Sequence, residues 1–307
     1  MIEKFTSGSH EIVLKRIRDI PSLPDVVNKI VALLGQPNTP ASEIAHLISY
    51  DPGLTSKVLR MVNSAAYGFQ RQISSIQHGI MILGFTTVRG LVLSASIMKL
   101  FERENTRTPN GLDHQKFWEH SLGTAMAARQ IGKAMRLHGV TPDLDDLFSA
   151  AMLHDIGKIV LDVYFKNDYQ KVMEESRKQS VLPHGPGFLA LEERVLGITH
   201  TQIGLSLANK WKLPSAITEA IAHHHAPENA QDDCKTLVYL VALANQLAVI
   251  LYEHHGIFNR NYLSTDVLEY FDLDDDDLQG FVHLLKEDMD NAKEMLQSLA
   301  PSREAGG

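Results

Sequence analysis

The sequence predicts an all-α protein, a multi-helix bundle of two packed helical lobes. Three observations carry this. Apolar residues recur at helical spacing along nearly the whole chain. Capping and stopping residues punctuate the runs. No stretch alternates apolar and polar residues as a half-buried strand would. The 307 residues, 44% hydrophobic and 21% charged, suffice for one large or two modest domains. No internal repeat is present.

The elements follow in order. In "SLPDVVNKIVALLG", Ser22 is placed to cap a helix with Asp25 in the reciprocal capping-box position. Val26, Val27, Ile30, Leu33 and Leu34 follow at helical spacing, and Gly35 and Pro37 stop the run. Thr39-Pro40 and Asp51-Pro52 each read as a cap followed by proline, opening "ASEIAHLISY" and "GLTSKVLRMVNSAAYG". "SSIQHGIMILG" predicts a helix ending near Gly84, and the mostly apolar "TTVRGLVLSASIMKLF" predicts a buried one.

A polar stretch, "ERENTRTPNGLDHQ", holds Pro109, Asn110 and Gly111 and separates the two lobes. The division is residues 1–106, 107–260 and a C-terminal helical tail, 261–307. The second lobe reads "KFWEHSLGTAMAARQIGKAM", "DLDDLFSAAMLHDIGKIVLDVYF", "DYQKVMEESRKQ", "FLALEERVLG", "THTQIGLSLANKW", "PSAITEAIAHHH" and "CKTLVYLVALANQLAVILYE". The tail holds an amphipathic helix after an acidic cap. Asp272, Asp274 and Asp276 have the spacing of an EF-hand start. Asp277 stands where that loop needs Gly, however, and His283 where it needs a bidentate Glu. Negative charge at a helix N-terminus explains the run. The tail is suited to cover the second lobe or to form a homodimer.

Composition excludes several classes. The net charge of −8 argues against nucleic acid as a partner, because phosphate binding wants clustered Lys and Arg. No run approaches the roughly 20 apolar residues that span a bilayer, and mean hydropathy is −0.11. The first residues lack the apolar core of a secretory leader. Cys234 is the only cysteine, so the expected compartment is a reducing cytoplasm.

Histidine is the unusual count, at 15. Four places stand out: His120, the adjacent pair His154-Asp155, His200, and the triplet His223, His224, His225. Each lies in or beside a predicted helix with an inward apolar face, and helical bundles build metal sites from such inward ligands. In one continuous helix, His154 and Asp155 would leave about 100° apart and reach one ion or bridge two. Lys158, at i+4 from His154, meets an anion at the metal or pairs with a carboxylate. His184, in the loop "LPHGPG", is a marginal extra ligand. His46, His78 and His138 have no partner pattern. Trp118 and Trp211 read as packing residues, and Asn63 and Ser64 as helix-end bonds to backbone.

"H…HDIGK", "HTQIG" and "IAHHHAPE" together resemble the HD metal-dependent phosphohydrolase superfamily, in the order of its HD-GYP branch. By that resemblance His120 is the first ligand, and His154 and Asp155 are the signature pair. His200, with Gly204, matches the H-x-x-x-G helix, and His224 and His225 match the pair that follows Ile221. The first lobe resembles the HDOD family, the HD-related output domain, in "IPSLPDVVNKIVALL", "SEIAHLISYDPGLTSKVLRMVNSAAYG" and "ISSIQHGIMILGFTTVRGLVL". That likeness runs from about Ile17 to about Leu213. It implies an HD-like second lobe and a bacterial signalling or regulatory role, typically with an incomplete metal set. The chain departs from HD-GYP at Asn245 in "VALANQLAVI", where Asp is expected. It departs again at "APENAQDDC", which replaces the glycine-tyrosine-proline loop.

Two functions follow. The first is a regulatory module holding a divalent metal, one or two ions, and acting on a signalling protein or a small phosphorylated ligand. The second is a metal-dependent phosphohydrolase acting on phosphomonoesters, nucleotides or cyclic dinucleotides, with Asp155 and Lys158 as its catalytic residues. His and carboxylate donors suit iron, manganese, zinc or nickel alike. The first is preferred because the HDOD likeness covers more of the chain and Asn245 weakens a two-metal site.

Overall fold

The computed structural model describes residues 20–286, apart from 35, 37–38, 64–71, 103–110, 139, 141–145, 186 and 254–259. The proposed lobe boundary at 106/107, the stops at Gly35 and Pro37, Ser64, and the tail beyond 286 lie outside the described residues. Among the described residues there are helices and no strand.

Helix α1 (Asp25–Leu34) starts later than a Ser22 cap would place it. The Pro24 carbonyl accepts from the backbone N–H groups of Val27 and Asn28 at 2.8 and 3.1 Å. Proline lacks an N–H and suits the entry of a helix, where that donor would have no intrahelical partner. Thr39 caps backward: its hydroxyl donates to the Leu33 carbonyl at 2.8 Å, closing α1 rather than opening α2 (Ala41–Ser49). Asp51 does cap forward. Its carboxylate accepts from Leu54 N–H at 3.0 Å at the start of α3 (Pro52–Val62), and from Lys99 at 2.7 Å.

Asn63 ends α3 by joining two segments. Its amide donates to the carbonyls of Leu59 and Ile73 at 2.9 and 2.7 Å, and its oxygen accepts from Ile73 N–H at 2.6 Å. Ser75 accepts from His78 N–H at the start of α4 (Ile76–Leu83), which stops at Gly84. Ile44 and Ile48, then Leu54, Val58 and Val62, then Ile76 and Ile80 are buried at four-residue spacing. These stripes close around α5 (Phe85–Glu102), which is buried from Thr87 to Ile97.

The second group begins at Asp113, whose carboxylate accepts from Gln115 and Lys116 N–H, opening α6 (His114–Ala134). Then come α7 (Leu147–Leu153), α8 (Ile156–Tyr164), α9 (Lys166–Gln179), α10 (Phe188–Leu196), α11 (His200–Trp211), α12 (Ser215–His223) and α13 (Lys235–Glu253). Helix α13 lies along α6, α8 against α11, and α12 against both α7 and α11. Helix α7 also packs on α5, and a buried ion pair joins Arg89 on α5 to Asp146 at the start of α7. The Trp211 indole donates to the Pro21 carbonyl at 3.1 Å, and Lys210 donates to the Ile20 carbonyl. One continuous apolar core runs through all these elements.

The described start of the tail packs on α13. In α14 (Thr265–Phe271), Tyr270 stacks on Tyr239 at 3.8 Å between ring centroids, and its hydroxyl meets Thr236 at 2.7 Å. Asp274 accepts from Asp276 and Asp277 N–H at 2.9 Å each, opening α15 (275–286) as a helix cap. No helix among the described residues is long and apolar enough to cross a membrane.

Candidate metal centre

The apolar run that predicts one helix through "AAMLHDIGKIV" breaks at its polar pair. Helix α7 ends at Leu153, His154 is its C-terminal cap, and Asp155, at φ −97° and ψ 7°, precedes α8. The two side chains therefore leave from a turn between helices, not from one helix face. Gly157 is what brings this turn against α11. A side-chain carbon at Gly157 would run into the His200 carbonyl oxygen and lie 3.0 Å from Gly204 N. One at Gly204 would lie 2.5 Å from Ile221 Cγ2. Two bare backbones thus meet where α8 crosses α11, and Gly204 leaves room for α12.

His200 is set at the first turn of α11 by a capping box. The Thr199 hydroxyl accepts from Gln202 N–H at 3.3 Å, and Gln202 Oε1 accepts from Thr199 N–H at 3.0 Å. His224 follows α12 as its cap residue, and His225 comes next. His120 projects from the middle of α6.

These residues converge on Asp155, which is 0% exposed. Its Oδ1 lies 3.2 Å from His200 Nε2 and 3.4 Å from His224 Nε2. Its Oδ2 lies 2.6 Å from Lys158 Nζ, 3.0 Å from His184 Nδ1, 3.4 Å from His154 Nε2 and 3.9 Å from His120 Nε2. One donor atom each from Asp155, His200, His224 and His225 fit within 4.8 Å of one another. So do donors from His120, Asp155 and His184. His223 turns aside, 3.9 Å from Glu219.

Three rings are held through Nδ1, which turns Nε2 toward the centre, where His200 Nε2 and His224 Nε2 lie 3.4 Å apart. His154 Nδ1 donates to the Ala151 carbonyl at 2.6 Å, and His224 Nδ1 to the Ala220 carbonyl at 3.0 Å. His200 Nδ1 donates to Glu192 Oε2 at 2.6 Å, and the same oxygen accepts His200 N–H at 2.8 Å. A carboxylate or carbonyl behind the ring fixes the tautomer and raises ligand basicity, as at metal-ligating histidines. Asp155 Oδ1, His154 Nε2 and His225 Nε2 are buried without a hydrogen-bond partner. Such atoms cost stability unless something takes them up.

The electrostatics favour the neutral ring at His120, His184, His224 and His225, around one carboxylate. Burial opposes ionisation of Asp155, but the Lys158 ammonium and the His154 ring hold its carboxyl well below the usual carboxylate range. Burial lowers His224 to about 3. Burial, then the Lys158 charge, lowers His184 to about 4. Burial also holds His120 and His225 well below the ordinary imidazole value, with neighbouring rings adding to the effect. His200 differs: burial lowers it, but the Glu192 carboxylate brings it above 6.5.

The structure thus gathers His120, His154, Asp155, Lys158, His200, His224 and His225 at one place. Lys158 pairs with Asp155 at i+3, on the carboxylate side of the two roles open to it from sequence. Two residues of the cluster escape sequence reasoning. His184, read as marginal, stacks on His120 at 3.9 Å between ring centroids and bonds Asp155. Glu192 had a usable signal, since it is a charged residue among the buried Phe188, Leu191 and Leu196 of α10. Asn245 is buried on α13 with its Oδ1 unpartnered.

Comparison with known proteins places this geometry in a family. The HDOD domain family matches residues 20–227. A protein of Treponema pallidum (strain Nichols), described as uncharacterized, is 26% identical over 233 residues, 76% of this chain. The chain spans 43% of that relative's length. Among solved structures, an HDOD domain protein of unknown function from Geobacter sulfurreducens has a TM-score of 0.73 at 24% identity, over 94% of this chain and 98% of that one. A Shewanella amazonensis SB2B protein called a "Putative phosphohydrolase" has a TM-score of 0.70 at 21% identity, over 94% and 98%. A Marinobacter aquaeolei VT8 protein called a "Putative signal transduction protein" has a TM-score of 0.75 at 21% identity, over 96% of this chain and 65% of that one. At these identities the structural likenesses establish the all-α fold, while the sequence match across both helix groups establishes the family. The chain belongs to the HDOD domain family.

Proposed function

We propose that this chain is a signalling module whose second helix group is organised around a divalent metal ion, held by Asp155, His200, His224 and His225. The observation that carries the reading is the orphaned Asp155 Oδ1. It is fully buried, faces two imidazole Nε2 atoms at 3.2 and 3.4 Å, and has no hydrogen-bond partner of its own. The donor set suits the ion: one anionic oxygen plus three imidazoles, of which His200 is fixed from behind by Glu192 and His224 by the Ala220 carbonyl. Iron, manganese, zinc and nickel all accept such donors.

The ion's role in this reading is to lock α7, α8, α11 and α12 together. The module then acts through a partner protein or a small phosphorylated ligand. The burial of the donors favours this over catalysis. Asp155, His154 and His200 are 0% exposed and His224 is 1% exposed, whereas a catalytic metal keeps a position open to water and substrate.

A second reading, metal-dependent phosphohydrolysis, has one observation in its favour. His225 is only partly buried by its neighbours, so the centre has a rim. A bound divalent ion supplies Lewis-acid polarisation of a phosphoryl oxygen. Lys158 would then steady the phosphate, a task that requires it to leave Asp155.

The test is a turnover assay on metal-loaded protein, using phosphomonoesters, nucleotides and cyclic dinucleotides. The module reading expects wild type and Asp155→Ala to be equally inactive while only wild type retains metal. Turnover that disappears in Asp155→Ala overturns it.

A further inference from the structure

Asp155 has two faces, and they are not equivalent. Its Oδ1 face holds imidazoles alone, His200 and His224, with His225 beside them. Its Oδ2 face holds imidazoles and an ammonium. On that side His120, Asp155 and His184 could chelate an ion by donor spacing, since their ligand atoms lie within 4.8 Å of one another. Lys158 Nζ is 2.6 Å from the same Oδ2, however, closer than any imidazole of the group.

Resting on the metal reading above, we propose that the Lys158 ammonium permanently fills the second cation position, so the centre takes one metal ion rather than two. The side chain is 1% exposed and its Nζ lies 5.4 Å from the centroid of the Phe188 ring. It is buried and paired with Asp155. An ion entering at Oδ2 would meet a like charge at contact distance in a buried site, where charge repulsion is least screened. It would also have to share Asp155, the one carboxylate among the described residues that belongs to both donor groups. Asn245, the buried amide on α13, adds no negative charge. Lys158 is therefore a specificity residue for metal number, acting through Asp155.

The experiment is metal stoichiometry. The metal-free 307-residue chain is titrated with Zn(II) or Mn(II) by calorimetry, and bound metal is counted by elemental analysis. Wild type should saturate at about one ion per chain. Lys158→Met and Lys158→Gln, checked for folding by circular dichroism, should reach about two. Adding His184→Ala to Lys158→Met should return the count to about one. A wild type that takes two ions overturns the proposal alone, as do folded Lys158 variants that stay at one. A wild type that binds none overturns the metal reading with it. Acetylation of Lys158, followed by mass spectrometry on wild type, gives a readout independent of the variants. Protection that persists in metal-loaded protein supports the proposal. A rise in labelling on metal addition overturns it, because the lysine would then have been displaced.

Discussion

Glu192 Oε2 accepts two hydrogen bonds from His200, one from the ring Nδ1 at 2.6 Å and one from the backbone N–H at 2.8 Å. One carboxylate oxygen thereby fixes both the ring's tautomer and the start of α11. Glu192→Gln keeps the shape but removes the anion that polarises the ring. Metal affinity, measured by competition with a chromophoric chelator, should fall about 10- to 100-fold, the usual effect of removing such a partner. An unchanged affinity would mean that His200 is not a ligand.

The crossing of α8 and α11 depends on bare backbone. At Gly157 an added methyl collides with the His200 carbonyl, which cannot move without shifting the His200 ring. At Gly204 it meets a side-chain methyl of Ile221, which has some freedom to shift. Gly157→Ala should therefore destabilise the protein by about 3 kcal/mol or more, beyond the ordinary range for overpacking, and Gly204→Ala by about 1–3 kcal/mol. Chemical denaturation of the metal-free proteins checks the ranking. Metal affinity should fall in the first variant more than in the second.

The buried imidazoles predict acid sensitivity in the metal-free protein. His184 and His224 titrate at about 4 and about 3 when folded, against 6.5 for the free group. His120 and His225 are also lowered. Between 6.5 and the folded values the unfolded chain binds protons that the folded chain refuses, so stability falls as pH drops through that window. From pH 7 to pH 5, His184 and His224 each contribute a loss on the order of 2 kcal/mol. His200 is raised by Glu192, so its contribution is complete below pH 6.5 and is lost as pH rises through its folded value. Asp155, lowered from 3.8, keeps its contribution throughout this window and loses it only at more acid pH. The net expectation is a falling melting temperature from pH 7 to pH 5, with a smaller slope in His184→Asn. A flat profile would contradict the buried, neutral state of these rings.

Asn63 supports the other helix group. Its three bonds to the Leu59 and Ile73 backbone hold the end of α3 to the segment before α4. Asn63→Ala should lower stability by about 1–3 kcal/mol and leave metal affinity unchanged. A change in affinity would assign this residue to the centre instead.

Much of this organisation was legible in the sequence. Helical periodicity located nearly every element, because each buries one stripe, as Leu54, Val58 and Val62 do on α3. Motif spacing picked out His120, His154, Asp155, His200, His224 and His225, which lie around the two faces of the Asp155 carboxylate. The break between His154 and Asp155 was hidden, because the flanking residues continue an apolar helical pattern. The bare backbone of Gly157 lets that turn lie close against His200, a contact that local pattern does not show. His184 was hidden for a different reason. Its position depends on how one loop folds back over α6, which no local pattern encodes. Thr39 is ambiguous in sequence because a hydroxyl can bond backbone on either side of it, and here it donates to the Leu33 carbonyl at the end of α1. Lys158 left two partners open, and the geometry at Asp155 places it on the carboxylate.

The measurement that bears most directly on this account is anomalous diffraction from crystals grown with Mn(II) or Zn(II). The account predicts one strong peak, about 2.0–2.3 Å from Asp155 Oδ1 and from imidazole nitrogens of His200, His224 and His225, with Lys158 still on Oδ2. A map with no peak there, or with its peak between His120 and His184 instead, would contradict it.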